Sequence, residues 1–352
     1  MYEEIFILAL ACLYGFLLLW ACRHLPGERW QIAATIPVHR NAAGQWQGVN
    51  LTFYGLLTAS GVLAAAILML VMLGSVGVDT LGTLIFITPL LSVCIPASRL
   101  VARWVEKKPA TSTIAGANFI GMILSPWLVL AARECLGQSL RAGFQVPVVM
   151  AALITCYAIG EGMGRLACVS FGCCYGKPLS QCGPWVRRFF QNRNFVFQGD
   201  TKKISYESGL QGQPVVPIQV LTSAIYLATG LACLYLFLKA WFSLSLILGL
   251  VITQGWRAYS ETLRADFRGG GRLTAYQWMA LAAIPYGILI AVLFPLPAGM
   301  WLSPDLSAGI ELLWNPAVLL FLQGLWLALV FYSGRSKVTS ATIQFHVLRS
   351  EI

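Results

Sequence analysis

Nine long apolar stretches alternate with shorter polar segments along the chain. Each is rich in Leu, Ala, Val and Ile, and each approaches the ~20 residues that a helix needs to cross a bilayer. They lack the period-two alternation of membrane barrel strands. The pattern predicts an all-α polytopic membrane protein with about nine transmembrane helices, at 5–22, 50–75, 80–100, 112–132, 144–163, 215–238, 241–262, 274–296 and 311–332.

Composition excludes a soluble globular protein. Hydrophobic residues make up 58% of the 352 residues and charged residues only 11%, and the mean hydropathy is +0.72. No soluble fold has enough interior to bury that fraction. Glu3 and Glu4 stand where a secretion signal carries lysine or arginine, so the first stretch is expected to remain as a permanent helix.

The basic residues predict the orientation of the helices. If the amino-terminus lies outside, 21 of the 24 Lys and Arg fall in inward segments, against Arg133, Arg141 and Lys239 in outward ones. This positive-inside pattern places a long head loop, 164–214, in the cytoplasm. The net charge of +10 suits anionic lipid headgroups. Nucleic acid is not an expected partner, because the charges are spread over five loops.

Charged residues also occur within two apolar stretches. Glu161 and Arg165 are four residues apart, and the spacing of Arg257, Glu261 and Arg264 predicts one shared helix face. Charges at this depth are expected to face the bundle interior or a wet cavity. Two arginines from separate helices could hold a phosphate, since guanidinium matches its oxygens. The alternative is two ion pairs that merely finish helices near the membrane interface.

Glycines and one tyrosine flank the first of these arginines, and a second candidate tyrosine lies in the second apolar stretch. The glycines suit close helix contact, backbone approach to an anion, or plain turns; they are Gly160, Gly162, Gly164, Gly172 and Gly176. Tyr54 and Tyr175 are candidates for hydrogen bonds to a headgroup, and they are equally typical of membrane-interface aromatics.

No histidine falls within an apolar stretch, so no intramembrane base of that type is expected. The three histidines are His24, His39 and His346.

Four cysteines follow Arg165 at irregular spacing. Cys168, Cys173, Cys174 and Cys182 are separated by five, one and eight residues, with no histidine nearby. This spacing does not match the paired cysteines of a zinc ribbon. A packed or redox-sensitive thiol cluster, a catalytic thiol and a metal site all remain open. No metal and no cofactor is expected.

These residues resemble the phosphatidylglycerol:prolipoprotein diacylglyceryl transferase family. Gly164-Arg165 is similar to its glycine-arginine signature, with Cys168 in place of an asparagine and Gly176 as the closing glycine. The remaining matches keep the family's order along the chain: Phe53-Tyr54-Gly55, Pro217-Ile218-Gln219, the set Arg257, Glu261 and Arg264, and Gln277.

The resemblance implies a helical bundle in a bacterial inner membrane that opens sideways to lipid. Such an enzyme transfers a diacylglyceryl group from phosphatidylglycerol to a protein thiol, and glycerol phosphate leaves. The expected donor is phosphatidylglycerol or another anionic phospholipid, and the acceptor is a protein or a small polar molecule. The resemblance implies that Arg165, Arg257 and Glu261 are catalytic. Residues expected to bind substrate are Tyr54, Glu161, Gly164, Cys168, Gly172, Tyr175, Gly176, Gln219 and Arg264.

The chain also departs from the family's pattern. The family's essential histidine has no counterpart in 112–118, and Val216 and Thr222 replace a histidine and a glutamate. A seven-helix transferase-like core is expected at 49–297, between an extra helix with a basic loop at 1–48 and a helix with a tail at 298–352. Family members place the site on the outer side, whereas the charges place it inside, which favours a divergent branch with a cytosolic acceptor.

Two other classes of function compete with a transferase. A non-catalytic phospholipid-binding or membrane assembly protein derived from the same fold is supported by the missing histidine. A transporter is disfavoured, because charged residues occur on only two stretches and no pair of broken helices repeats.

Overall fold

The computed structural model describes residues 2–107, 113–135, 142–266 and 272–352, apart from the side chain of Glu106. Its long helices are α1 (Tyr2–His24), α2 (Phe53–Ser75), α3 (Thr80–Glu106), α4 (Ile114–Cys135), α5 (Val146–Phe171), α8 (Ile218–Leu238), α9 (Phe242–Ser260), α10 (Ala275–Leu293) and α12 (Pro316–Gly334). The short helices are α6 (Pro184–Phe190), α7 (Lys203–Ser208) and α11 (Leu306–Glu311). Lys108, Arg141 and Arg268 of the charge count, and Ser112, lie outside the described residues.

Eight of these helices have the length and composition to cross a membrane. The exception among the long helices is α9, whose second half contains polar residues such as Gln254 and Arg257. This helix nevertheless packs within the bundle, against α5, α8 and α10. The expected class, an all-α polytopic membrane protein, is therefore confirmed, with eight helices of spanning character in place of about nine.

Helix α5 lies at the centre of the bundle and packs against α2, α8 and α9. In its apolar window 78% of the residues are buried. Glycines allow its close contacts: a Cβ at Gly61 of α2 would lie 2.8 Å from the Gly160 carbonyl oxygen, and one at Gly162 would lie 2.9 Å from Leu227 of α8. A Cβ at Gly164 would meet nothing within 4 Å. Of the three α5 glycines Gly160, Gly162 and Gly164, the first two therefore serve helix packing.

An antiparallel sheet joins two distant parts of the chain. Its strands, in order across the sheet, are β1 (Ile32–Arg40), β2 (Trp46–Thr52) and β5 (Arg335–Ile343). Asn50 is fully buried at its centre, where it accepts a hydrogen bond from Thr35 (2.7 Å) and donates one to Thr339 (3.2 Å). The sequence predicts only a basic loop and a tail here. Pairing between residues 289 positions apart leaves no local signal.

Residues 172–217 form a compact segment, the head, beside the carboxyl-terminal ends of α1 and α5. The head loop expected from residue 164 begins later, because α5 continues to Phe171. Lys202 fastens the head to these helix ends: its fully buried Nζ donates to the carbonyl oxygens of Leu25 (3.1 Å) and Ser170 (2.6 Å). Burial lowers the pKa of Lys202 to about 8. The head contains α6, α7 and the paired strands β3 (Phe195–Val196) and β4 (Pro214–Val215).

The crossing of α2 and α12 depends on Gly55. A Cβ at this position would collide with the backbone of Gly334. We expect Gly55→Val to lower the unfolding free energy by about 1–3 kcal/mol, the usual effect of overpacking. Thermal unfolding of the purified protein in detergent would measure this. The matched control is Gly324→Val on α12, where a Cβ meets nothing within 4 Å; equal melting temperatures for the two variants would contradict the prediction.

Candidate functional site

The carboxyl-terminal end of α5 carries the first group of predicted site residues. Glu161, Arg165 and Cys168 lie on its last turns, and the helix ends at Gly172, whose φ of 71° is left-handed. The amide of Cys173 donates to the carbonyl oxygen of Cys168 (3.1 Å), which closes the helix end. The chain therefore turns sharply immediately after the arginine helix.

The end of α9 carries the second group. The helix stops at Ser260, a 3-10 turn follows, and Arg264 is extended with φ −87° and ψ 150°. The prediction that Arg257, Glu261 and Arg264 share one helix face is therefore wrong. The cause is pairing with the turn after α5, where the amide of Lys177 donates to the carbonyl oxygen of Leu263 (2.9 Å).

The ends of α5 and α9, together with the first turns of α8, line one cavity, which we call the arginine cavity. Its atom-free space, about 310 Å³, includes space that is open to the surroundings. Of the predicted residues, five line it together: Arg165, Gln219, Arg257, Glu261 and Arg264. The lining also contains Cys174 of the cysteine group, together with four residues that the sequence did not predict: Ile218, Thr222, Tyr226 and Ser260. Some could have been found from periodicity, because Thr222 and Tyr226 follow Gln219 at helical spacing on α8 and Ser260 follows Arg257 by three.

Two buried guanidinium groups reach the cavity from different helices. Arg165 forms an ion pair with Glu161, and Arg257 donates from Nη1 to the hydroxyl of Tyr157 (3.3 Å). The Glu161 carboxylate interacts electrostatically with both arginines. Among the described residues, neither Arg165 Nε nor Arg257 Nε has a hydrogen-bond partner. A buried donor left without a partner costs about 1–3 kcal/mol, so an acceptor in this cavity would relieve both.

Arg264 is held differently. Its Nε and Nη2 donate to the two carboxylate oxygens of Asp266, at 2.8 and 2.5 Å, and its Nη1 lies 3.8 Å from a Glu261 oxygen. The bidentate fork that could bind a phosphate is therefore already engaged by a carboxylate. Arg264 contributes charge to the wall of the cavity, while Arg165 and Arg257 each contribute a buried donor that has no hydrogen-bond partner among the described residues.

Gln219 brings an acceptor to the same cavity. It lies in the first turn of α8 and is fully buried, and its Nε2 donates to the carbonyl oxygen of Cys173 (3.0 Å). Its Oε1 has no hydrogen-bond partner among the described residues. The site thus offers both unpartnered donors and an unpartnered acceptor.

Four predicted residues lie behind the lining. Glu161 supports Arg165, while Tyr54 packs against Phe171, with 5.6 Å between ring centroids, and interacts electrostatically with Arg165. Tyr175 is buried and its hydroxyl donates to Glu207 (3.4 Å). Burial raises the pKa of Tyr175. The fourth, Cys168, belongs to the thiol cluster described below.

The predicted glycines serve the backbone and do not line the cavity. Gly172 caps α5, and a Cβ there would lie 3.1 Å from Lys202 in the head. A Cβ at Gly176 would collide with the Val216 carbonyl. Gly164 is likewise outside the lining.

Three thiols meet at the edge of the arginine cavity. The sulfur atoms of Cys168, Cys173 and Cys174 all lie within 4.8 Å of one another, whereas the Cys182 thiol donates to the carbonyl oxygen of Pro178 (3.4 Å). Cys174 has a left-handed φ of 54°, which is uncommon outside glycine and is often found at functional sites. Hydrogen bonds from the other two thiols hold the pKa of Cys174 well below its usual range, and nearby arginine charge adds to this effect.

The Glu161–Arg165 pair yields a test of how this site is held together. Removal of one partner leaves a buried charge unpaired, which is typically destabilising by about 3–5 kcal/mol. We expect Glu161→Gln and Arg165→Met each to lower the melting temperature clearly, and the double variant to lose at least about 1 kcal/mol less than their sum. Thermal unfolding of all four proteins measures this coupling, and strict additivity would contradict it.

Comparison with known proteins identifies the family. Searches of curated proteins and of solved structures found no match. The family described as prolipoprotein diacylglyceryl transferase matches residues 42–293, which include the helices that build the arginine cavity. The match covers well over half of the chain and confirms the resemblance seen in the sequence. This chain belongs to the prolipoprotein diacylglyceryl transferase family.

Proposed function

We propose that this protein is a lipid-modifying transferase that binds the phosphate of an anionic phospholipid in the arginine cavity. The phospholipid that we propose is phosphatidylglycerol. Family membership supports a membrane lipid transferase of the prolipoprotein diacylglyceryl type. The observation that carries the finer proposal is the pair of unpartnered donors, Arg165 Nε and Arg257 Nε, from two helices on one cavity.

The charge of the cavity suits a departing phosphate. Arg165 and Arg257 are both buried, so their charges act through a medium that screens less than water. In a diacylglyceryl transfer, negative charge grows on the phosphate oxygen as its bond to the glyceryl carbon breaks. Preorganised donors directed at developing charge are a major source of catalysis. Glu161 holds Arg165 in position and offsets part of the positive charge.

Gln219 supports the choice of a headgroup that carries hydroxyls. Its unpartnered Oε1 is a hydrogen-bond acceptor, so it would repel a phosphate oxygen but would accept a hydrogen bond from a hydroxyl group. Thr222 and Ser260 line the same cavity, and their hydroxyls already donate to the carbonyl oxygens of Ile218 and Arg257, so they offer a headgroup acceptors only. A glycerol headgroup places hydroxyls next to the phosphate. This pattern favours phosphatidylglycerol over a lipid whose headgroup has no donor.

The path of the helices supports a proposal for the side of the membrane on which the site opens. Glu3 pairs with Lys239 (2.8 Å), so the amino-terminus and the α8–α9 turn lie on one face of the bundle. The head, the sheet and the arginine cavity lie toward the other face. Because that face carries most of the basic residues, we propose that it is cytoplasmic and that the acceptor is a cytosolic thiol or other polar nucleophile.

A non-catalytic lipid-binding protein remains the second candidate, because the histidine expected of the family is missing. His24 stacks on Trp20 at the end of α1, with 5.7 Å between ring centroids. The cavity lining contains no histidine within the described part of the chain. Lipid binding without turnover is what this candidate predicts.

We expect Arg165→Gln and Arg257→Gln each to lower the turnover of phosphatidylglycerol by about 10²–10³-fold, because each removes a hydrogen-bond donor to the phosphate. The assay would incubate purified protein with labelled phosphatidylglycerol and a thiol peptide, and would measure bound lipid and released glycerol phosphate. Arg188→Gln, an exposed arginine on α6, is the matched control.

The outcomes of this assay separate the two candidates. Release by the parent protein and by Arg188→Gln, but not by the cavity variants, supports the transferase. Lipid binding without release of glycerol phosphate, whichever acceptor is supplied, supports the lipid-binding protein. Equal lipid affinity in all four proteins would contradict both, since both place the phosphate on Arg165 and Arg257.

Orientation gives an independent prediction. We expect Arg193→Cys in the head to react with a membrane-impermeant maleimide only after spheroplasts are opened. Trp301→Cys, which replaces a side chain that is 95% exposed between α10 and α11, should react in intact spheroplasts. Both cysteine variants are made in a protein whose exposed Cys12 and Cys135 have been replaced, and their labelling is measured relative to that protein. The reverse pattern would place the head outside and restore an exported acceptor.

A further inference from the structure

The thiol cluster has the geometry of a metal-binding site. Cys168 lies in the last turn of α5, while Cys173 and Cys174 follow its glycine cap, so the helix end folds two thiols back onto the first. All three sulfurs lie within 4.8 Å of one another. Thiolates bound to one zinc ion at ~2.3 Å in a tetrahedron are separated by roughly 3.8 Å. Small side-chain rotations would suffice to reach that arrangement.

We propose that Cys168, Cys173 and Cys174 bind one thiophilic divalent cation, zinc, beside the arginine cavity. Thiolate sulfur is the ligand that selects zinc and other soft ions over calcium or magnesium. The sequence spacing offers no indication of this, because zinc ribbons use two separated cysteine pairs. The site described here uses a helix end and its turn in place of two pairs.

The surroundings support a site with an open coordination position. Cys174 lines the arginine cavity, whereas Cys168 and Cys173 lie outside its lining, so the metal would lie at the edge of the space that the phospholipid headgroup is proposed to occupy. Its fourth position is proposed to face that space. Three protein ligands with one open position are typical of catalytic zinc, whereas structural zinc has four. The hydrogen bond from Gln219 Nε2 to the Cys173 carbonyl fixes the turn that presents these ligands.

Charge also favours the complex. Zinc with three thiolates carries a net charge of −1, and Arg165 and Arg264 line the same cavity as Cys174. A bare cation would be repelled by these guanidinium groups, but the negative complex is attracted to them. The same two arginines would disfavour a thiol-free cation site at this position. The cluster therefore suits a thiolate-bound metal in particular.

In the proposed function this metal would activate the acceptor thiol, and this part of the inference rests on that function. An acceptor thiol that binds at the open position loses its proton to solvent, because a zinc-bound thiol is deprotonated. Its sulfur then attacks the glyceryl carbon attached to the phosphate oxygen. A carbon–sulfur bond forms, the carbon–oxygen bond breaks, and its electron pair leaves with the glycerol phosphate. The zinc ion keeps its oxidation state, and no histidine base is needed.

Metal binding to the purified, reduced full chain tests the site without any lipid. We expect one zinc ion per chain, and with cobalt as the probe an intense thiolate-to-metal absorption band in the near ultraviolet. Cys168→Ser, Cys173→Ser and Cys174→Ser should each weaken affinity at least about 100-fold. Cys182→Ser removes a neighbouring thiol that is held by Pro178, and it should bind as the parent does. Circular dichroism would establish that the variants fold.

Each result decides the matter. Binding that depends on the three cysteines but not on Cys182 supports the site, and a thiol peptide that shifts the cobalt spectrum supports the open position. Absence of stoichiometric binding, or affinity unaffected by the three substitutions, would overturn it. A disulfide that persists after mild reduction would also overturn it, in favour of a redox pair. Failure of lipid turnover with intact metal binding would refute the transferase and leave the metal site standing.

Discussion

The burial of guanidinium charge in an apolar helical bundle is the constraint on which this structure depends. An arginine placed at the centre of a membrane helix costs about 2.5–3.5 kcal/mol on insertion scales. Arg165 and Arg257 are both buried, and one carboxylate, Glu161, interacts electrostatically with both. Arg257 also donates to the hydroxyl of Tyr157. What remains is a cavity lined by arginines, two of which have a buried donor without a hydrogen-bond partner among the described residues. This is the observation on which the proposal of a bound anion rests.

Other features of the bundle bring those two charges together. The central helix α5 approaches α2 and α8 closely because glycines line both contacts. Its carboxyl-terminal turn then pairs with the segment after α9 through Lys177 and Leu263, which brings Arg264 back to the cavity wall. The head is fastened to the ends of α1 and α5 by the buried Lys202. The close helix packing, the turn after α5 and the attachment of the head therefore all shape the region around the arginine cavity, where the chemistry is proposed to occur.

Local pattern is enough to predict the bundle and the two main arginines. Apolar length predicts the helices, and the cost of charge at depth singles out Arg165 and Arg257 within them. Features that depend on contacts between distant segments are not predictable in this way. The sheet requires Asn50 to meet Thr339, and Arg264 reaches the cavity through backbone pairing and not through helical periodicity. The approach of Cys168 to the two thiols that follow the helix depends on one left-handed glycine.

The central claim is that two arginines from separate helices bind one lipid phosphate, and an experimental structure with bound phosphatidylglycerol tests it most directly. We expect Arg165 Nε and Arg257 Nε both to lie about 3 Å from oxygens of the same phosphate, the distance of a hydrogen bond. We also expect a headgroup hydroxyl to donate to Gln219 Oε1. A lipid bound elsewhere, with both guanidinium groups turned away from it, would contradict the claim.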